Sequence, residues 1–467
     1  LTRLADEPIA VEPETAVGRI APAAIAPAIS PNALAARRYW FLGSTHLWID
    51  VFPILFSALL WPLQERLSLT SLQVTAIIMA TPIFSGGLQP VFAWLTDKHD
   101  TRLCGPLGLA IGGVCCASIG LAQNFWQLLA LQIVGVIATG MYHPIATAVA
   151  GQSGGRLFRN GRAQAIGIFI AFGMIGHALG AELGPLINSL DGGRGMPYLA
   201  WLIPPTLLLA IVMHLLLRRA PHRHDNHREI HESFSDAERR RRWRVIGLLA
   251  AQNALRFTVN VGLLVVMINV WAKSKMLQSM QGAGDLELSA ASASLVGHLS
   301  VALTIGMCVG VLTTGRLVRQ GREKGPLIWL SVLGALAIFA VGPLGDLMWS
   351  VGRGAWWSLI PTYLCLAATA VGFFATFPIA TSLAQRLMPG HTGLVTSLMM
   401  GAGWAFSASS ALLAPVFFGL VSVDEAPRLD PWRINLGFAG FGLLLLVAGL
   451  LAVLIPRDLV AEAAEHH

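Results

Sequence analysis

Charge is scarce in this chain. Only 12% of its 467 residues are Asp, Glu, Lys or Arg, about half the fraction usual in soluble proteins, which excludes a water-soluble globular domain of this length. Cysteine is scarce too. The five thiols (Cys104, Cys115, Cys116, Cys308, Cys365) fall within or beside apolar runs and lack metal-ligand spacing, so they read as small packing residues and no residue is assigned to a metal. No glycine-rich loop ending in Lys-Ser or Lys-Thr is present, which excludes ATP-driven transport by this chain alone. No pattern of nucleophile, base and oxyanion donors emerges either, so no enzyme is expected and no residue is assigned a catalytic role. The net charge of +7 lies in short segments between apolar runs rather than along one polar face, so no nucleic-acid partner is expected. The first 38 residues hold no unbroken apolar stretch and read as a disordered cytoplasmic tail.

What the chain has in abundance is apolar length. The apolar fraction is 55%, gathered into runs of roughly twenty residues, each long enough at 1.5 Å per residue to cross a hydrocarbon core of about 30 Å. Reading those runs between polar breaks gives twelve helices, at 40–62, 72–95, 104–122, 125–149, 163–189, 198–217, 245–271, 293–315, 325–345, 355–383, 393–420 and 433–455. The long polar stretch 218–244, with arginine at each position from Arg239 to Arg242, divides six spans from six. The chain is therefore expected to be an all-α membrane protein. A tail (1–38) precedes an N-terminal six-helix bundle (39–217), a basic cytoplasmic linker (218–244), a C-terminal six-helix bundle (245–456) and a cytoplasmic tail (457–467).

Orientation follows from the basic residues. With both termini inside, 24 of the 32 Lys and Arg fall on the cytoplasmic side, seven fall outside, and Arg256 lies within a span. That bias places both ends of the chain in the cytoplasm.

The halves also share sequence. Pro144-Ile145-Ala146-Thr147 recurs as Pro378-Ile379-Ala380-Thr381, and Gly105-Pro106-Leu107 opens the third span as Gly325-Pro326-Leu327 opens the ninth. Parallel repeats of six spans around an axis normal to the membrane are the architecture of major facilitator transporters, with the working site between the halves.

Further residues carry a resemblance. His46-Leu47-Trp48-Ile49-Asp50, Leu88-Gln89-Pro90 leading to Trp94-Leu95-Thr96-Asp97-Lys98, His143-Pro144, Ser153-Gly154-Gly155-Arg156 and Leu183-Gly184-Pro185-Leu186 together resemble the fosmidomycin-resistance branch of the major facilitator superfamily. Leu387-Met388-Pro389-Gly390 and Gly393-Leu394-Val395-Thr396-Ser397-Leu398 are similar in the second half, while Gly315-Arg316 stands where an acidic residue is expected. The resemblance implies a proton-driven exporter of small polar or drug-like molecules, energised by the proton gradient without a cofactor. The same fold would also serve a proton-coupled importer of a nutrient or metabolite, or a transporter-like receptor or scaffold that moves nothing. The expected setting is the cytoplasmic (inner) membrane of a bacterium. The expected partners are a small-molecule substrate, protons and the lipid bilayer, with the chain acting as a monomer.

Candidate residues follow from the cost of placing polar groups in hydrocarbon. His46 and Asp50 share one face of the first span near the midplane, which makes Asp50 the first candidate for proton coupling, with His46, His143 and Glu182 beside it. A structural hydrogen bond or ion pair is the plainer alternative for each. Arg256 aligns with His46, and Asn260 with Asp50, at matching depth in the seventh span. Arg256 would bind an anionic substrate group or neutralise Asp50. Asn260, Gln89, Gln164 and Asn253 are the uncharged candidates for substrate contact. By resemblance, Asp97, Lys98 and Arg102 form the cytoplasmic gate.

Overall fold

Apolar segments of this length can satisfy their backbone groups in a hydrocarbon core only as helices or closed barrels. The computed structural model describes residues 31–98, 102–155, 157–158, 161–218, 234–352 and 354–465, and among these no strand forms. Among the described residues, twelve helices are long and apolar enough to cross a membrane. They are α1 (Asn32–Ala58), α2 (Ser71–Phe92), α3 (Cys104–Leu121), α4 (Phe125–Gly154), α5 (Gln164–Gly193), α6 (Met196–Leu217), α7 (Asp236–Ser279), α8 (Asp285–Leu317), α9 (Lys324–Gly352), α10 (Trp356–Leu387), α11 (Leu394–Phe417) and α12 (Pro431–Val453). An even number of alternating spans puts both termini on one face, here the terminal face. At the opposite face, Trp126, Trp201, Trp356 and Trp432 stand exposed at the starts of α4, α6, α10 and α12, where amphipathic rings mark a membrane boundary.

Three helices begin well before the sequence suggested, and the eighth starts at Asp285 rather than at 293. The first starts at Pro31, so 31–38 of the expected tail is helical. Proline suits a first turn, and Arg38 Nε donates to Leu216 O of α6 at 3.3 Å, which ties the segment down. The seventh starts at Asp236, inside the stretch read as linker. Ser235 caps it by accepting from the Glu238 amide at 3.2 Å, and Asp236 and Glu238 lie in its first turn, where the helix dipole favours acids.

The arginine run is consequently part of a folded anchor. Arg242 is buried to 1% exposure, pairs with Glu238 (2.8 Å) and Glu462, donates to Leu387 O at 3.2 Å, and stacks its guanidinium 3.9 Å from the Phe234 ring. Glu462 belongs to a terminal helix, α13 (Arg457–Glu465), whose Asp458 pairs with Arg241. The hydrogen bond from that guanidinium holds the Asp458 carboxyl below its ordinary range. Nearby, Glu323 and Arg386 form a buried ion pair. Glu323 thus supplies an acid a few residues beyond Gly315-Arg316, where the sequence lacks one.

The halves meet along two seams and at the opposite face. Gly297 of α8 lies against Ala181 O and Pro185 of α5, and Gly86 of α2 against Gly401, Trp404 and Ala405 of α11. At the opposite face, Ser57 Oγ donates to Leu264 O (2.9 Å), Trp61 Nε1 to Asn269 O (3.0 Å) and Ser71 Oγ to Asp424 Oδ2 (2.7 Å). Leu264 lies in a widened π turn, Gly262–Met267, which breaks the regular carbonyl ladder of α7.

Arg242→Ala is expected to destabilise the chain by about 2 kcal/mol, between the values of exposed and buried ion pairs. The check is thermal unfolding in detergent. Glu462→Gln added to Arg242→Ala should cost almost nothing more, and full additivity would show that the pair contributes nothing.

Candidate functional site

A carboxylate inside a helical bundle needs partners, and Asp50 has two. On its own helix His46, one turn earlier, brings Nε2 to 3.2 Å from Asp50 Oδ2; from α4, His143 brings Nε2 to 3.1 Å from Oδ1. Each imidazole is held at its other nitrogen by a backbone carbonyl. His46 Nδ1 lies 2.7 Å from Phe169 O on α5, and His143 Nδ1 lies 2.7 Å from Thr139 O one turn back on α4. Phe169 also stacks on His46, with ring centroids 4.0 Å apart and an interplanar angle of 11°. Asp50 and His46 are each 4% exposed.

The neighbouring backbone is built to admit this cluster. Gly173, Gly176 and Gly180 lay α5 directly on α1: a Cβ at Gly173 would strike Asp50 and His46, and one at Gly176 or Gly180 would strike Leu47 O or Val51 O. Behind the cluster, Thr45 Oγ1 and Tyr142 Oη share a hydrogen bond of 2.8 Å. The ligand atoms of His46, Asp50 and His143 all lie within 4.8 Å of one another, close enough to share protons or a cation.

The other candidates are dispersed. Glu182 lies more than two turns beyond Gly173, at the α5–α8 seam, where it faces His298 of the other half at 3.6 Å. In this conformation Arg256 makes no ion pair with Asp50, the acid it was expected to neutralise when not bound to substrate. Its guanidinium turns into the C-terminal half, donating to Gln252 Oε1 (2.9 Å), Leu327 O (2.8 Å) and Ser331 Oγ (2.8 Å). Both Asp50 oxygens are already taken by histidines. Asn253 donates to Met399 O at 3.4 Å and, with Arg256, Phe257, Phe373, Phe374 and Phe377, lines a cavity of about 10 Å³, roughly the room for one water. Asn260 is buried with Oδ1 unpartnered. Gln89 is partly buried at the α2–α11 seam, and Gln164 is partly buried at the start of α5. Of the gate residues, Arg102 donates to Arg218 O at 2.9 Å, while the side chains of Asp97 and Lys98 lie outside the described residues.

Besides the buried Glu323, a partly buried acid escaped the sequence reading. Asp346 of α9 pairs with Lys275 at 2.6 Å and accepts from Trp271 Nε1 and Asn435 Nδ2, each at 3.0 Å. The ninth apolar run was closed at residue 345, one position short; the helix continues to Gly352.

Comparison with known proteins agrees with this architecture. The family model described as Major Facilitator Superfamily matches residues 47–412. Over 423 residues the chain is 25% identical to the fosmidomycin resistance protein of Escherichia coli (strain K12), covering 89% of this chain and 95% of that one. Over 456 residues it is 22% identical to YfnC of Bacillus subtilis (strain 168), an uncharacterized MFS-type transporter, covering 89% and 92%. Among solved structures, a bacterial homolog of the human lysosomal transporter Spinster, inward-facing and unoccupied, aligns with a TM-score of 0.59 at 14% identity, covering 92% of this chain and 97% of that one. A structure concerned with substrate recognition in proton dependent oligopeptide transporters aligns with a TM-score of 0.65 at 12% identity, covering 92% and 100%. At these identities the two structures establish the shared fold.

Gly173→Ala is expected to destabilise the chain by about 1–3 kcal/mol through overpacking. Gly167→Ala on the same helix, where a Cβ meets nothing within 4 Å, should leave the melting midpoint unchanged or slightly raised. Equal midpoints for the two variants would show that the α1–α5 contact is loose.

Proposed function

Because the chain belongs to the major facilitator superfamily, we propose that this multi-pass membrane transporter is a proton-coupled antiporter exporting a small polar or drug-like molecule by alternating access. It acts as a monomer in the cytoplasmic membrane of a bacterium, with both termini inside, and performs no catalytic chemistry of its own. The observation that carries the reading is the His46–Asp50–His143 cluster. Ionisable groups at this depth are costly unless they serve a pathway or a relay, and here two histidines converge on one carboxylate.

The geometry supports an order of events. The opposite face is closed by the Ser57, Trp61 and Ser71 hydrogen bonds between the halves, so in this conformation exchange with the solvent runs towards the terminal face. The His143 side chain is 24% exposed, against 5% for those of Asp50 and His46. His143 is therefore the member of the cluster that passes protons to and from the aqueous path. Changing the charge on the cluster alters the stability of the α1–α4 contact, and rocking of one bundle against the other makes and breaks the opposite-face bonds. Arg256, fixed to α9, offers its remaining donors to substrate without competing for Asp50. The fosmidomycin resistance protein among the relatives supports export of a drug-like molecule as the direction to test first.

Inside-out vesicles with an acidic lumen should accumulate fosmidomycin when they contain the wild-type chain. Asp50→Asn should reduce that accumulation at least tenfold, to the level left by an uncoupler. If Asp50→Asn kept its full pH-dependent accumulation, proton coupling through this cluster would be wrong. Accumulation in right-side-out vesicles would reverse the direction.

A further inference from the structure

The hydrogen-bond pattern of the cluster fixes a proton count. A backbone carbonyl oxygen only accepts, so the 2.7 Å contacts at His46 Nδ1 and His143 Nδ1 place an N–H on each of those nitrogens. In a neutral imidazole the other nitrogen then carries a lone pair. Both Nε2 atoms nevertheless lie at hydrogen-bond distance from Asp50, and they face different oxygens, at 3.2 and 3.1 Å. A lone pair facing a carboxylate oxygen at that distance repels, and a proton between them attracts. Each contact therefore requires its own proton.

From this geometry we infer that the cluster carries two exchangeable protons in the conformation described, one for each Nε2–carboxylate contact, so that a full discharge releases two. The histidines are the carriers and Asp50 is their shared counter-charge. With both protons present, two imidazolium rings and one carboxylate sum to +1. Releasing one proton brings the cluster to zero and keeps one contact. Releasing both leaves two neutral rings and a carboxylate, a sum of −1, with lone pairs opposed across both contacts. The discharged cluster must then open.

Among the described residues, His177 of α5 is the neighbouring ionisable group that interacts electrostatically with all three members of the cluster; the others are engaged elsewhere. From α4, Tyr142 stacks 6.2 Å from His46 and is engaged by Thr45. From α5, His177 lies one turn from Gly173 with Nδ1 buried and unpartnered, and Glu182 is turned to His298. The thiols of α3, Cys115 and Cys116, pack towards Gly135 of α4, and His214 of α6 sits at its terminal end. Arg256 of α7 is bonded to α9.

The inference rests on the cluster being the coupling site, yet its test needs no transport. Purified chain with ¹⁵N-labelled histidine, in nanodiscs without substrate and washed with chelator, is examined by NMR at pH 8, where free histidines are neutral. Two imidazolium signatures are expected. His143→Gln should remove one of them, His46→Gln should remove one, and Asp50→Asn should remove at least one. The wild-type spectrum alone decides the count, whether or not a variant folds. A single imidazolium, none, or a neutral Nε2–H tautomer at either ring would overturn the inference. So would one equivalent of Zn²⁺ retained by the wild type and lost in His143→Gln, because a metal ion would then occupy the place of the protons. Failure of drug accumulation with two imidazolium signatures intact would instead sink the transport reading alone.

Discussion

The arrangement of the N-terminal half depends on one constraint: the Asp50 carboxylate is placed where water cannot solvate it. Taking an ion of that size out of water costs several kcal/mol even after relaxation, and the surrounding chain offsets the cost with specific contacts. Two histidines approach the two oxygens from different helices. Phe169 holds His46 by stacking and by its carbonyl, while Gly173 leaves the space a side chain would fill. Removing either histidine leaves an unmatched charge rather than a small void. The site is comfortable with its protons and strained without them.

The duplicated scaffold hosts different chemistry in its two halves. The Pro-Ile-Ala-Thr repeat shows how little the backbone alone decides. In α4, Pro144 sits inside a helix that runs unbroken from Phe125 to Gly154. In α10, the hydrogen-bond pattern is interrupted for one residue at Ala375, three residues before Pro378, while the backbone there stays helical. Proline removes the same backbone donor in both, but the residue before it differs. His143 bonds back to Thr139 O, one turn earlier on its own helix, whereas Phe377 packs against Phe257 and Phe374. The repeat was legible as duplication, and the difference at one position decides which copy carries ionisable chemistry.

Much of the fold was open to reading because the membrane makes the code simple: length, apolarity and the scarcity of charge leave few alternatives. The pairing of His46 with Asp50 was equally visible, since residues four apart share a helix face. The joining of His143 to that pair was not, because it is set by how α4 crosses α1 and no local pattern records that crossing. Arg256 misled for a related reason. Its depth matches that of His46, but depth does not fix direction, and its hydrogen bonds run away from Asp50 into α9. The arginines from Arg239 to Arg242 read as solvated linker charge because their partner, Glu462, lies 220 residues away.

The contrast between the halves bears on how a charge change becomes a motion. In the C-terminal half the partly buried Asp346 is held by Lys275, Trp271 and Asn435, and the buried Arg256 by Gln252, Leu327 and Ser331, with its Nε left unpartnered. In the N-terminal half Asp50 relies on two titratable rings, one of them partly exposed. Under the proposed proton coupling, the gradient acts on the N-terminal bundle, and the C-terminal bundle serves as the rigid body against which it moves. The opposite-face bonds between α1 and α7 then form the natural lever. Ser57 and Trp61 lie two and three turns beyond Asp50 on the same chain segment, and their acceptors, Leu264 and Asn269, belong to the fixed half. A shift of α1 at the cluster reaches Leu264 through the helix itself, and Asn269 through the short helix Leu60–Leu67 that follows the single-residue break at Leu59.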